Sequence, residues 1–338
     1  MNRRPLALLF ASISLACVVE DGGDDDDFRI INGDPAPASV PAYAATVGLH
    51  FKVAGPYFSS TPSCSGTLIT SDVVLTAGHC LAKQGGNTVS AISPSSVRVF
   101  FGDASDDPSG ELVTVSATLV HPGYNPYSLV NDIALLRLSQ PAPVAPIANL
   151  PASLAFDNGD IGTVLDFVGF GYSDLAKTDY GVKLHNTIPL GALGCPQSVY
   201  PACPPGAPTD TQFSYSQSDA GQVEGPCNGD SGGPAFVSVG GTTYVAGVTS
   251  YGDGPCDDYG VSTNVAAFDA WIAEFTGDGG GGGGGGGSCG DGTCSDGESC
   301  DGRNGTVSCI GDCPGKTGGK PSTRWCTVGA ACEGPGCP

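Results

Sequence analysis

The chain has 338 residues, 40% of them hydrophobic, and sets 13 Lys plus Arg against 34 Asp plus Glu, a formal net charge of −21. A chain of this size buries a core without help from a metal or a partner, and its shortage of cations excludes nucleic acid and other polyanions, whose binding relies on clustered positive charge. Fifteen cysteines point to disulfides and an oxidising compartment.

Met1–Pro5 carries Arg3 and Arg4, Leu6–Ala16 is uncharged and largely apolar, and Ser14-Leu15-Ala16 supplies small residues before a cleavage point. The pattern predicts a signal peptide over 1–16 and export from the cytoplasm, its apolar run being too short to span a bilayer. Ile13-Ser14-Leu15-Ala16-Cys17 also fits a relaxed bacterial lipoprotein box. Cys17 would then carry lipid and hold the chain on a membrane; the alternative is an ordinary signal peptide. Six cysteines fall in the central region and eight in the tail, which leaves Cys17 without a partner. Residues 17–29 form an acidic stretch too polar to fold alone.

From Ile30 to about Thr276 the chain is a succession of short β-branched runs broken by Gly, Pro, Asn and Asp. Val97–Phe101, Leu112–Val120, Ile133–Leu138, Thr163–Val168 and Thr243–Thr249 are examples. Their spacing predicts an all-β sandwich or barrel. Val265, Phe268, Trp271, Ile272 and Phe275 recur at helical spacing and predict one amphipathic helix that closes the domain. Nine consecutive glycines, Gly279–Gly287, lie in a flexible linker over 277–288. Residues 289–338 hold eight cysteines and few large apolar residues, so cross-links must stabilise that module.

Three motifs carry chemistry. Thr76-Ala77-Gly78-His79-Cys80 follows Cys64-Ser65-Gly66, Asn131-Asp132-Ile133-Ala134-Leu135-Leu136 comes next, and Gly229-Asp230-Ser231-Gly232-Gly233-Pro234 follows Cys227. Each alone is weak. In the order His, Asp, Ser they closely resemble the trypsin/chymotrypsin family of serine proteases. His121-Pro122-Gly123-Tyr124-Asn125, Gly169-Phe170-Gly171 and Ser250-Tyr251-Gly252 extend the resemblance over about Ile30–Thr276.

The resemblance implies two six-stranded antiparallel β-barrels with a C-terminal helix, and a serine endopeptidase acting on protein or peptide substrates. His79 is assigned as general base, Asp132 as its orienting partner and Ser231 as nucleophile. The N–H groups of Gly229 and Ser231 would form the oxyanion hole. Ser250, Tyr251 and Gly252 would pair with substrate backbone, Tyr251 standing where the family more often has Trp. Gly225, with Gly252 and Gly260 on the walls, implies an open, neutral specificity pocket for an apolar side chain, unless Asp257 or Asp258 leans in. Ile30-Ile31-Asn32-Gly33 resembles the family's mature N-terminus. A separate Arg-specific protease would cut after Arg29, and the new ammonium of Ile30 would pair with Asp230.

The family also implies the disulfides Cys64–Cys80 and Cys227–Cys256. The family partner of Cys195 would fall near Phe213-Ser214, where there is no cysteine, so elimination pairs Cys195 with Cys203. No cofactor is required. Asp103, Asp106, Asp107 and Glu111 lie roughly where some members hold Ca²⁺, and an ordinary solvated acidic loop is the alternative. His50, His121 and His185 have no motif that demands an imidazole and read as surface or loop residues. A pseudoprotease acting as a binding module, and an esterase on the same scaffold, are the rival readings.

Overall fold

The computed structural model describes residues 30–85, 88–219 and 222–277, and short strand segments at 298–299, 307–308, 315–316, 324–327 and 330–333. The signal and acidic segments, Cys17, Arg29, the glycine linker and the connectivity of the tail cysteines lie outside the described residues. Among the described residues no helix is long and apolar enough to cross a membrane.

The first sheet is a closed barrel. Its strands are β1 (Thr46–Ala54), β2 (Cys64–Leu68), β3 (Val73–Thr76), β4 (Val97–Phe101), β5 (Glu111–Val120) and β6 (Ala134–Leu138). They run β1-β2-β3-β6-β5-β4, and antiparallel pairing of β1 with β4 completes the ring. Alternation directs each strand. On β5, Val113 and Val115 enter the core while Thr114 and Ser116 face outward, the period-two pattern of a sheet with one buried face.

The second sheet contains β7 (Val164–Gly169), β8 (Leu184–Pro189), β9 (Ala192–Leu193), β10 (Gln212–Ser216), β11 (Pro234–Val239), β12 (Thr242–Gly252) and β13 (Tyr259–Asn264). Asp34–Pro35 pairs with Leu184 and His185 at one edge, and the remaining order, β8-β7-β11-β12-β13-β10-β9, begins and ends on one bent segment. Residues 184–189 pair with β7, while Ala192 and Leu193 pair with β10. Gly191 N–H donates to Ser214 O at 2.9 Å, so the bend carries the segment round and the second barrel also has six chain passes.

The final helix differs from the single helix expected. Val265–Phe268 is a 3₁₀ turn, and the α-helix proper is Asp269–Thr276. Phe268 and Ile272 are buried in the first barrel's core, with Trp271 and Phe275 packed beside them. The chain thus leaves the second barrel and caps the first.

The barrels meet along loops with no room for side chains. Ser65 N–H donates to Ser231 O, and Gly232 N–H to Thr249 O, each at 2.8 Å. Gly232 has φ +84°, and a Cβ there would stand 2.1 Å from Thr76 Oγ1 and 2.4 Å from Ser65 O. Gly55 also has positive φ (+50°) but faces open space. Gly55→Ala should therefore cost only backbone strain, about 1–2 kcal/mol. Gly232→Ala should lower the thermal unfolding midpoint by clearly more, because the seam must also open.

Candidate active site

The short helical turn Gly78–Leu81 presents His79, and Asp132 precedes β6, the strand paired directly with β3, which leads into that turn. Asp132 is fully buried, while the His79 side chain is 28% exposed. One carboxylate oxygen accepts the His79 N–H at 2.7 Å and the other meets His79 Nδ1 at 2.7 Å. The second oxygen also accepts the Ser250 hydroxyl at 2.5 Å. Gly78 makes this approach feasible, since a Cβ there would lie 3.0 Å from Asp132 Oδ1. From the second barrel, Thr263 Oγ1 donates to the Asp132 carbonyl at 2.9 Å. Thr263 belongs to no motif, and its part in holding Asp132 was not legible beforehand.

Burial pulls the His79 pKa down, but the Asp132 charge and hydrogen bond outweigh it, so the imidazole lies above the ordinary histidine value. Ser231 stands across the seam. Among the described residues its hydroxyl makes no hydrogen bond to His79 Nε2; such bonds are often long until substrate closes the site. Ser250 borders both the cavity beside Ser231 and the cavity beside His79.

The loop before Ser231 leaves donors free. Asp230 N–H is held by Cys227 O at 3.1 Å, while among the described residues neither Gly229 N–H nor Ser231 N–H has an internal acceptor. Gly229 has φ +102°, and its carbonyl is drawn away from the cleft by the Ser65 hydroxyl at 3.0 Å. Asp230 is buried between Gly169 and Gly171, where Cβ atoms would sit 2.0 Å and 2.5 Å from its oxygens. It accepts N–H groups from Gly171 and Cys227 at 2.8 Å and 2.9 Å. Desolvation pushes its pKa up to about 7, and among the described residues no cation faces it.

Ile30 is 1% exposed, in the second barrel's core with Leu150, Leu165 and Phe167. Ile31 pairs with Gly225, whose N–H donates to Ile31 O at 3.1 Å. Gly225 is thus taken up by the N-terminal segment, and it does not line the cavity of about 230 Å³ beside Ser231. That cavity is bounded by Tyr215, Gln217, Pro226, Ser250, Gly252 and Gly260 among others. Gln217 anchors the floor by donating Nε2–H to Pro226 O at 2.6 Å. Gly260 admits the Tyr215 ring, which a Cβ would meet at 2.3 Å. Neither Gln217 nor Tyr215 sits in a recognisable motif, so only the β10 register reveals them.

Asp257 and Asp258 do not line the cavity; Asp253 does. Its oxygens accept the N–H groups of Asp257, Asp258 and Tyr259 at 3.1 Å each. Burial raises its pKa, but these bonds outweigh that and hold it below the usual value. On β12, Val248 is the last residue before the Ser231 loop to pair with β11, whereas Tyr251 and Gly252 pair only with β13. The 250–252 edge facing the cleft is therefore open to an extended peptide. Disulfides join Cys64 to Cys80 beside His79, Cys227 to Cys256 across the cavity wall, and Cys195 to Cys203 under Tyr200 and Tyr259.

Three of the four carboxylates of the acidic loop have partners within the chain. Asp103 pairs with the buried ammonium of Lys183 at 2.9 Å, Asp107 accepts the N–H and hydroxyl of Ser109, and Glu111 accepts from Gln140. Among the described residues no three of these carboxylates bring ligand oxygens within 4.8 Å of one another. Of the remaining histidines, His50 is buried on a strand, His121 is a half-buried loop residue and His185 is half-buried on β8. His50 is 4% exposed, His121 lies edge-on to Phe268 and Trp271, and His185 meets Asp166 and Tyr43, each at 2.9 Å.

Two antiparallel barrels that share a His–Asp pair on one side and a serine loop on the other form the double-barrel class of serine hydrolases. Within that class the chain belongs to the trypsin family: the family model described as Trypsin matches residues 30–272. It is 32% identical over 227 residues to vitamin K-dependent protein C of Rattus norvegicus, covering 64% of this chain and 46% of the relative. It is 34% identical over 243 residues to the Spaetzle-processing enzyme of Drosophila melanogaster, covering 63% and 58%. Mannan-binding lectin serine protease 1 of Mus musculus is 28% identical over 268 residues, covering 74% and 35%. The chain spans about half the length, or less, of these relatives.

If His79 must be neutral to accept a proton, the acidic limb of kcat/KM should lie above the ordinary histidine pKa of about 6.5. Asp132→Asn should move that limb down and reduce kcat on the order of 10⁴-fold. A pH–rate profile of both forms checks the two effects.

Proposed function

We propose that the chain is an extracytoplasmic serine endopeptidase that cleaves protein or peptide substrates after apolar residues. The His79–Asp132 pair facing the Ser231 loop across the barrel seam carries this reading. Ser231 attacks the scissile carbonyl while His79 takes its proton and then returns it to the leaving amine. The unoccupied N–H groups of Gly229 and Ser231 receive the oxyanion, and the free edge at 250–252 binds the peptide backbone. A floor of Gln217, Pro226 and Tyr215 has no charge and suits an apolar side chain. Lys183 supplies a counter-charge to Asp103 in the acidic loop, and hydrolysis by the triad calls for no cofactor. The activated protein, assayed with and without EDTA, should label with a fluorophosphonate and cleave a peptide library after apolar residues in both buffers. Ser231→Ala should abolish both; dominant cleavage after Arg or Lys would sink the specificity, and loss of activity in EDTA the statement that no cofactor is called for.

Activation is the second part of the reading. Cleavage after Arg29 by a separate Arg-specific protease frees the Ile30 amine, and Asp230 is a buried carboxyl that no cation meets among the described residues. A charge left alone in such a place costs several kcal/mol, typically about 3–5 when one partner of a buried pair is removed. If Cys17 is lipidated, the same cut releases the enzyme from its membrane. Before the cut, a folded-state pKa of about 7 for Asp230 exceeds the unfolded value near 3.9. The fold holds a proton that the unfolded chain has lost, so precursor stability should fall as pH rises from about 4 through 7. Cleavage should flatten that decline, as an unfolding series on cut and uncut protein will show. Arg29→Gln should stay inactive with trypsin and stay with the membrane; full activity in the uncut form would refute the zymogen reading.

A further inference from the structure

Lys177 lies in no catalytic motif. It stands at the tip of the hairpin between Tyr172 and Tyr180, which close on each other as a bridge. Asp174 braces the tip: its backbone carbonyl accepts Lys177 N–H at 3.0 Å, and its carboxylate accepts both the N–H and the hydroxyl of Thr178. Lys177 itself has φ +55°, a left-handed conformation that costs a non-glycine residue strain. The loop thus spends conformational energy on placing this one side chain.

Its ammonium is bonded to two residues that line the specificity cavity. Nζ donates to Asn228 Oδ1 at 2.6 Å and to the Gly254 carbonyl at 3.0 Å, and Asn228 and Gly254 both line that cavity. An ammonium can only donate, so the amide oxygen of Asn228 must be the atom that faces it. Both acceptors are neutral, and two of the three N–H bonds are used. Among the described residues no carboxylate forms an ion pair with Lys177. The nearby acids are engaged: Asp174 by Thr178, and Asp253 by the N–H groups of its own loop. In a chain with 34 acidic residues, this cation beside the substrate cavity has no counter-ion among the described residues.

We propose that Lys177 is a specificity-determining residue, and that its remaining N–H binds a carboxylate of the substrate. The preferred substrate class is a peptide with an apolar residue in the pocket and an Asp or Glu within two residues of the scissile bond. This rests on the endopeptidase reading above and refines it. The gain expected for one partly exposed ion pair is up to about fivefold in kcat/KM, and it should weaken with salt.

The test uses the activated full chain and internally quenched peptides with Phe as the cleaved residue. Glu, Gln or Lys is placed in turn at the position before Phe and at each of the two positions after the bond. Wild type should favour Glu over Gln by up to about fivefold at one or more positions at low salt, and less at high salt. Lys177→Met should erase the ratio and Lys177→Glu should turn it toward Lys, with unfolding midpoints confirming intact folds. The same peptides are titrated onto Ser231→Ala protein, where Kd reports the preference without turnover. Equal Glu and Gln values at every position, or an unchanged ratio in Lys177→Met, would overturn the proposal. Absence of hydrolysis with the binding preference intact would instead count against the endopeptidase reading.

Discussion

The carboxylate of Asp132 is the constraint on which the rest of the structure depends. Removing a carboxylate from water is costly unless hydrogen bonds replace its hydration, and three donors do so here: the His79 backbone, the His79 ring and the Ser250 hydroxyl. They come from both barrels. A fourth bond, from Thr263 to the Asp132 backbone, fastens the second barrel to the residue itself. The bonds that desolvate Asp132 safely also fix the imidazole's orientation and bring the Ser250 strand to the cleft. Seam stability and catalytic geometry are therefore one requirement, and neither barrel could meet it alone.

Glycines impose the complementary constraint, that of close approach. Gly78 lets His79 reach Asp132, Gly169 and Gly171 make the cradle for Asp230, and Gly232 lets the nucleophile loop lie on Ser65 and Thr76. Each would place a Cβ within 3.0 Å of a neighbouring atom. Gly229 meets both demands: a Cβ there would stand 2.4 Å from the Tyr180 ring, and its φ of +102° turns its carbonyl toward Ser65 and leaves the adjacent N–H groups facing the cleft. The glycines on either side of the nucleophile, Gly229 and Gly232, act through conformation as well as space, and Gly78, Gly169 and Gly171 act through space.

This division explains what could be read from the sequence. Tight loops are encoded by short runs of neighbouring residues, so the His79, Asp132 and Ser231 segments stand out. Strand runs such as Val97–Phe101 coincide with observed strands because β-branched alternation is local. Features set by register between distant segments were hidden. Gln217 reaches the pocket floor because β10 pairs with β13, and Gly225 is withdrawn from the pocket by Ile31. His50 looked like a loop residue, yet it falls in the half of β1 that is buried on both faces, where one ring nitrogen meets Ser59 O at 2.8 Å and burial holds its pKa below the usual value. The 3₁₀ break before the last helix was also invisible, since Val265 and Phe268 satisfy the helical pattern whether or not the first turn is α.

The scarcity of cations gives the remaining ones structural weight. Between residues 30 and 277 the positive side chains are Lys52, Lys83, Arg98, Arg137, Lys177 and Lys183. Arg137 joins Asp72 to the end of the closing helix, and Arg98 lies over Phe58. Lys183 is buried against Asp103 despite a desolvation that lowers its pKa, which makes an internal ammonium the counter-charge of a loop rich in acids. A field this negative repels acidic peptides at long range, but salt screens it beyond roughly 8 Å at physiological ionic strength. At contact the local arrangement governs, and there the lining of the pocket presents Lys177 with only neutral acceptors. Net charge and local selectivity can therefore have opposite signs, because one acts over distances that salt erases and the other over the length of a hydrogen bond.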